Sequence, residues 1–315
     1  MENNVMDSVR IRLADRMERD ARDRSSSRYK GDFLVLISTI CWGSSYSFIK
    51  TALRELSSFN LMALRFTIAF VVTALVFNRT LRRMRLKDVG YGLALGIALF
   101  CGNALLTFGL KTTTISNAGF LMGSTVVFVA LAQAVINRVR PRWSLLAGLL
   151  FSVLGVGVLT ITDGIAIHTG DALCLMGALA FAIHIFIAEA TARNSDSLGA
   201  CIIQFGFVSL FAWLMTSLVE TPVLPASGEV LAAVCVLGLF GSATGFVCQM
   251  VGQRYTTPTR TGFIYTLEPL FALFFAYILA GETLTLRTLV GGALLLLGVY
   301  ISEYRSPKAG GMESA

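Results

Sequence analysis

The sequence predicts an all-α polytopic membrane protein with ten transmembrane helices, arranged as two inverted five-helix repeats. Three observations predict this fold class: an apolar composition, apolar runs of membrane-spanning length, and motifs that recur along the chain. Of the 315 residues, 55% are hydrophobic and 14% are charged, whereas a soluble domain carries roughly 25% charged residues. So few charges cannot cover a water-soluble surface, and we therefore expect most of the chain to lie in a bilayer.

The apolar residues form runs long enough to cross a hydrocarbon core of about 30 Å. All six cysteines lie inside these runs and form no Cys-x-x-Cys pair, which is typical of small buried side chains and not of metal ligands. The predicted spans are residues 33–50, 60–77, 89–110, 115–136, 144–162, 171–190, 199–219, 230–252, 258–280 and 286–303.

The residues before the first span alternate basic and acidic side chains and lack the apolar core of a signal peptide. We interpret them as a charged cytoplasmic tail, with a helix on the membrane surface as the alternative. The predicted organisation is an N-terminal tail at 1–30, a first repeat at 31–162, a second repeat at 163–303 and a cytoplasmic C-terminal tail at 304–315.

The basic residues predict the orientation of the chain. If both termini are cytoplasmic, the cytoplasmic segments hold most of the 26 Lys and Arg residues, and only Lys50, Arg54, Lys111 and Arg287 lie outside. This distribution follows the positive-inside rule. We therefore expect a multi-pass protein of the cell inner membrane.

Glycines recur in two ungapped registers when the chain is aligned with itself. Because each predicted repeat has five spans, an odd number, the second copy must enter the membrane from the opposite side, as in many secondary transporters. Residues that these registers align are called repeat mates below. The first register aligns Gly102 with Gly245, Gly119 with Gly262 and Gly155 with Gly298, and the second aligns Gly31 with Gly170.

Several motifs of the second copy resemble the signature of the EamA family in the drug/metabolite transporter superfamily. They are Thr257-Pro258-Thr259, Gly262-Phe263-Ile264-Tyr265, Leu267-Glu268-Pro269-Leu270 and Gly281-Glu282-Thr283-Leu284. The resemblance implies a ten-helix secondary transporter, in most cases an exporter of amino acids, other metabolites or drug-like compounds, that works by alternating access. A nucleotide-sugar carrier of the same superfamily is the alternative. The first copy departs from the signature, since Val126 stands where the second has Pro269.

Glu268 and Pro269 are adjacent near the middle of the predicted ninth span. Pro269 lacks an amide hydrogen and clashes with the preceding turn, so we expect a kink there, either as a gating hinge or as a purely structural feature. A carboxylate at this depth is costly unless it faces the bundle interior, paired or hydrated. Glu268 is therefore a candidate for substrate or proton binding, with a structural role as the alternative.

Arg65 lies within the second span, where a charged side chain is also costly unless it faces the bundle interior. It either anchors packed helices through hydrogen bonds or binds the carboxylate of a substrate. Its repeat mate is the neutral Gln204. Polar side chains also share helix faces on four other spans, which predicts one central cavity near the bilayer midplane. The predicted substrate-binding residues are Trp42, Tyr46, Arg65, Asn103, His184, Gln249, Tyr265 and Glu268, with Pro269 as a hinge.

Other function classes lack the motifs that they need. No phosphate-binding loop, HExxH or GxSxG motif is present, and His184 is the only histidine within a span, so we expect no metal, no cofactor and no enzyme activity. An intramembrane enzyme and a receptor-like membrane protein remain as remote alternatives. The net charge of +7 comes from clusters between apolar runs, which is a topology signal and does not indicate nucleic acid. The expected partners are a small-molecule substrate and the lipid bilayer; proton coupling and the oligomeric state are left open.

Overall fold

The computed structural model describes residues 29–136, 138, 143–160, 168–253, 255, 261 and 264–303, and over these residues its regular secondary structure is entirely helical. Nearly all of the two predicted tails, the end of the fifth predicted span and most of the start of the ninth lie outside the described residues. The helices are α1 (Tyr29–Ala52), α2 (Ser58–Val76), α3 (Asn78–Leu81), α4 (Leu86–Gly109), α5 (Ile115–Gly123), α6 (Thr125–Ile136), α7 (Trp143–Thr160), α8 (Thr169–Asn194), α9 (Ser197–Val219), α10 (Gly228–Val236), α11 (Gly245–Gly252), α12 (Glu268–Ala280) and α13 (Leu286–Glu303).

Seven helical segments of the described chain are long and apolar enough to cross a membrane. They are α1, α2, α4, α5 with α6, α8, α9, and the continuous segment from α10 to α11. Three shorter apolar helices, Trp143–Leu159, Glu268–Ala280 and Leu286–Ile301, occupy the positions of the other predicted spans. The chain is therefore a multi-pass membrane protein, and the total of ten crossings stays a prediction.

Capping residues set several helix boundaries. The Thr114 side chain accepts a hydrogen bond from the Asn117 amide at the start of α5, and Ser227 does the same for Val230 at the start of α10. Both satisfy an amide that has no partner within its helix. Gly281 follows the end of α12 with φ +64°, a left-handed conformation that glycine adopts without steric penalty.

A π-helical segment, Leu237–Thr244, joins α10 to α11. This segment was not expected from the sequence. Two glycines let this segment approach its neighbours closely: a methyl group on Gly238 would lie 2.7 Å from Ile68, and one on Gly241 would lie 2.5 Å from the Ser45 hydroxyl. π-Helical turns are frequent at functional sites, and this one carries Ser242, described below.

The two predicted halves make the same close contact twice. A methyl group on Gly31 of α1 would lie 2.9 Å from the carbonyl oxygen of Gly252, and one on Gly170 of α8 would lie 2.7 Å from that of Gly109. Gly31 and Gly170 are repeat mates, as are Gly109 and Gly252. Small residues allow helix backbones to approach at both positions.

Carboxylates of one half cap helices of the other half at one end of the bundle. Glu220 accepts hydrogen bonds from the Ser57 hydroxyl at 2.5 Å and from the Asn60 amide at 2.9 Å, at the start of α2. Glu282 accepts from the amides of Ile115 at 2.7 Å and Ser116 at 3.1 Å, at the start of α5. These amides would otherwise be unpaired. We call this end, formed by residues 50–57, 110–116, 168–171, 220–229 and 281–285, the capped end.

Further contacts between the halves lie at the capped end. Glu55 accepts hydrogen bonds from the amides of Ala226 at 2.8 Å and Ser227 at 3.1 Å. Hydrogen bonds from the side chain and backbone of Ser227 and the backbone of Ala226 lower the pKa of Glu55. This contact is therefore present at neutral pH and weakens when acidification protonates Glu55. The Thr113 hydroxyl also donates to Asp171.

Candidate functional site

One cavity lies between the two halves and has a volume of about 130 Å³. An engineered cavity of about 150 Å³ holds benzene, so the space suits a small organic molecule. Helices α1, α2, α4, α5, α6, α8 and α11 contribute to its wall, together with the start of α12. All eight residues predicted to bind substrate line it: Trp42, Tyr46, Arg65, Asn103, His184, Gln249, Tyr265 and Glu268.

Glu268 stands at the first position of α12, directly after a turn in the chain. The Leu267 amide bonds to the carbonyl of Ile264 at 3.0 Å, and α12 then begins with Pro269 in its first turn. Proline is tolerated there because its missing amide hydrogen has no helical partner at that position. The positive end of the helix dipole also favours a carboxylate in the first turn. The helix is thus interrupted directly before the predicted hinge, and the role of Pro269 as a hinge stays a prediction.

Tyr46 holds the Glu268 carboxylate in place. The Tyr46 hydroxyl donates to Oε1 of Glu268 at 2.7 Å, and Tyr46 is buried. Oε2 of Glu268 makes no hydrogen bond to the part of the chain that the structure describes. One carboxylate oxygen is therefore fixed by the protein, while the other remains available to a ligand in the cavity.

Arg65 is a buried cation on the same cavity. Its side chain donates from Nε to the Ser242 hydroxyl at 2.9 Å, and its guanidinium carbon lies 4.8 Å from the centroid of the Phe66 ring. Within the described residues, no carboxylate lies at ion-pair distance from Arg65. An unpaired buried charge is costly, so the cavity is suited to an anionic group beside Arg65.

Aromatic rings form another part of the cavity wall. The Trp42 ring lies 5.2 Å from Phe246 and 5.5 Å from Tyr265, measured between ring centroids. The buried Trp42 Nε1 has no hydrogen-bond partner among the described residues. A methyl group on Gly245 would lie 2.8 Å from this nitrogen. Buried indole nitrogens usually find an acceptor, so Trp42 is an unsatisfied donor in the wall between α1 and α11.

The remaining predicted residues are held by the protein. His184 Nε2 lies 2.9 Å from Oε1 of Gln204, the repeat mate of Arg65. The amide nitrogen of Asn103 donates to the Leu99 carbonyl at 2.9 Å. Gln249 lines the cavity from α11. These side chains shape the cavity, and all three have protein partners, because Gln249 hydrogen-bonds to the Tyr265 side chain.

Sequence reasoning missed several lining residues, including Met122, Thr125, Ile185 and Phe246. Three of them are repeat mates of predicted residues: Met122 of Tyr265, Thr125 of Glu268 and Ile185 of Tyr46. They could have been predicted by taking the repeat mate of each predicted site residue in the other half. Ser242 could not have been found in this way, because its position depends on the π-helical segment.

The part of the chain that the structure describes contains no group of three or more His, Cys, Asp or Glu side chains placed to hold a metal ion. The cavity presents a carboxylate, a guanidinium and an indole donor inside an aromatic and aliphatic wall.

Comparisons with known proteins agree with this architecture. Two regions, residues 29–161 and 168–304, each match the EamA-like transporter family. An uncharacterized transporter of Archaeoglobus fulgidus is 29% identical over 87% of this chain and 97% of its own length. A protein of known crystal structure superposes with a TM-score of 0.63 at 19% identity, over 88% of this chain and 96% of its own, and so shares the fold.

Two further relatives carry more specific names. A probable terminal-alkyne amino-acid exporter of Streptantibioticus cattleyicolor is 26% identical, over 88% of this chain and 94% of its own. A probable amino-acid metabolite efflux pump of Salmonella typhimurium is 23% identical, over 87% of this chain and 95% of its own.

Proposed function

Because the chain belongs to the EamA-like transporter family, we propose that it exports a small amino-acid-like metabolite by alternating access. One observation carries this proposal: Arg65 and Glu268 line the same cavity without pairing with each other. A zwitterionic solute offers a partner for each charge. Its carboxylate would bind Arg65, and its ammonium would bind the available oxygen of Glu268.

The named relatives support this class of substrate. Two of them are described as an amino-acid exporter and an amino-acid metabolite efflux pump. The cavity is also small enough to suit a single metabolite. Glu268 would serve as the proton-binding group if export is coupled to proton entry, because a carboxylate can carry either a proton or a substrate ammonium.

We also propose ten crossings in two inverted repeats. The same family matches both halves, and the contact of Gly31 with Gly252 recurs as that of Gly170 with Gly109. The connections after α1, α4 and α9 meet at the capped end. The connections after α3 and α8 meet at the other end, where Asp88 accepts from the Ser195 hydroxyl at 2.5 Å. Along the described chain, the connections after α1, α3 and α4 alternate between the ends, as do those after α8 and α9, which is the pattern that ten crossings require.

On the distribution of Lys and Arg, we place both termini in the cytoplasm and the capped end outside the inner membrane. Each carboxylate at the capped end joins the two halves. Outward opening would have to break these hydrogen bonds, because the halves cannot separate there while they persist. The structure thus corresponds to a state closed on the outside.

Transport by the purified protein in liposomes tests the proposal. We expect exchange of radiolabelled amino acids by the wild type and loss of exchange in Arg65→Gln. Arg54→Gln is the matched control, since Arg54 forms an exposed ion pair with Glu229; such pairs contribute roughly 1 kcal/mol or less. If folded Arg65→Gln protein exchanges amino acids at the wild-type rate, the proposed carboxylate site is wrong.

A further inference from the structure

The two walls of the cavity differ in polarity although the repeat registers relate them. We propose, on the basis of the proposed function, that the cavity selects amino acids with an apolar side chain. In this arrangement the charged groups face Arg65 of α2 and the wall formed by α1, α11 and residues 265–268 at the start of α12. The hydrocarbon side chain faces the wall formed by α4, α5, α6 and α8.

The first wall, which we call the polar wall, contains Trp42, Tyr46, Gln249, Tyr265 and Glu268. Their repeat mates are Phe181, Ile185, Leu106, Met122 and Thr125, and all of them line the same cavity. We call this second set the apolar wall. Each polar side chain in the first set has an apolar mate in the second, except that Glu268 is paired with Thr125.

Thr125 does not make the apolar wall polar. Its hydroxyl donates to the Ala178 carbonyl of α8 at 3.2 Å. Nε2 of His184, which lies beside this wall, is 2.9 Å from Oε1 of Gln204. On the polar wall, in contrast, only one oxygen of Glu268 is bonded to the described residues, and the Trp42 nitrogen has no partner among them. The side chains of the polar wall therefore offer more free hydrogen-bonding capacity than those of the apolar wall.

This asymmetry determines how a solute would lie. A polar side chain against Phe181, Ile185 and Met122 would lose its hydrogen bonds to water and gain none from the protein, which is costly. A hydrocarbon side chain there loses only its contact with water, which is favourable. A solute with one charged end and one apolar end matches both walls.

Isosteric amino acids test this selection with purified wild-type protein in detergent. Leucine is compared with asparagine, and methionine with glutamine, by competition against a bound radiolabelled amino acid. We expect the apolar member of each pair to bind roughly tenfold more tightly or better, since an unpaired buried amide is strongly disfavoured. Met122→Gln should reduce this ratio severalfold, and Met122→Leu, which keeps the wall apolar, should leave it unchanged.

The possible outcomes separate this inference from the proposed function. Equal or tighter binding of asparagine and glutamine overturns the inference and leaves amino-acid transport intact. Binding of none of the four amino acids overturns the proposed function and this inference with it. If Met122→Gln does not fold, Ile185→Thr provides a smaller polar change on the same wall, and an unchanged ratio in that folded variant also overturns the inference.

Discussion

A membrane helix is interrupted at equivalent positions in the two halves. The interruption lies between α5 and α6 in the first half and directly before α12 in the second. In the first half, the Ser124 amide bonds to the Leu121 carbonyl at 3.1 Å. In the second half, the repeat mate of Ser124 is Leu267, whose amide bonds to Ile264 at 3.0 Å. Both interruptions therefore have the same local hydrogen-bond pattern, with a three-residue step in place of the helical four.

The residues after the two interruptions differ. The second half has Glu268 and Pro269 where the first half has Thr125 and Val126. A proline is thus not required to interrupt the helix, because the first half has the same turn without one. The interrupted segments also meet, since a methyl group on Gly123 would lie 3.0 Å from Pro269. We infer that the backbone break belongs to the packing of both halves, whereas the charge belongs to the second half alone.

The largest expected effect comes from removing that charge. Glu268→Gln should reduce transport by roughly tenfold to hundredfold, since a hydrogen bond to a charged group contributes about 1.5–3 kcal/mol. Thr125→Val, at the equivalent position, should leave transport nearly unchanged. Initial rates of amino-acid exchange in liposomes measure both variants. Equal reductions of the exchange rate in Glu268→Gln and Thr125→Val would show that both halves contribute equally to substrate binding.

The caps at the outer end provide the next test. Glu282→Gln removes the charge that caps α5 and should favour outward opening. In a Ser45→Cys background, a membrane-impermeant thiol reagent added outside should then label the cavity several times faster. Glu189→Gln is the control, because Glu189 forms an exposed ion pair with Arg193 of the same helix, α8. Unchanged labelling in Glu282→Gln would mean that this cap does not restrain opening.

Pro269→Ala should have a moderate effect. The substitution removes the ring that fixes the backbone angle φ, and changes of this kind alter the free energy of one conformation by roughly 0.4–1 kcal/mol. If the fixed backbone at this position is needed for gating, the exchange rate should fall roughly two- to fivefold by the same estimate, and the free energy of unfolding should change by no more than about 1 kcal/mol. A wild-type exchange rate would reduce Pro269 to a structural feature.

The smallest expected effect on transport comes from substitutions that follow the fourth and ninth predicted spans, where we expect a change in the free energy of unfolding. Arg138 has φ 52°, and its repeat mate Gly281 has φ 64°. A side chain in this conformation costs about 1–2 kcal/mol. Gly281→Ala should therefore lower the free energy of unfolding in mixed micelles, and Arg138→Gly should raise it. The opposite signs would indicate that other contacts dominate at these turns.

The fold class and the family could be predicted because both depend on patterns that can be read directly in the sequence. These patterns are the lengths of the apolar runs and the motifs that recur in the second half. It also identified Glu268, Arg65 and Trp42 as candidates, since polar groups at membrane depth are rare. It did not identify Ser242 as the partner of Arg65, because that contact depends on the π-helical segment between α10 and α11.

The division of the cavity into a polar and an apolar wall was also not predicted from the sequence. Met122 and Ile185 resemble any other apolar side chain of a membrane helix when only the sequence is known. Their significance comes from facing the same cavity as their mates, Tyr265 and Tyr46. The interruption at Ser124 was likewise not predicted, although Gly123 precedes it and Gly/Ser pairs are common sites of helix kinks.

Protection of Glu268 from chemical modification would test most directly whether the cavity binds the substrate. A hydrophobic carbodiimide modifies carboxyl groups within membranes, and mass spectrometry reports the extent at each residue. Leucine should slow the modification of Glu268 and leave that of Glu189, which lies on the exposed side of α8, unchanged. If a saturating concentration of transported substrate leaves the modification of Glu268 unchanged, the substrate does not bind at this carboxylate, and the proposed site is wrong.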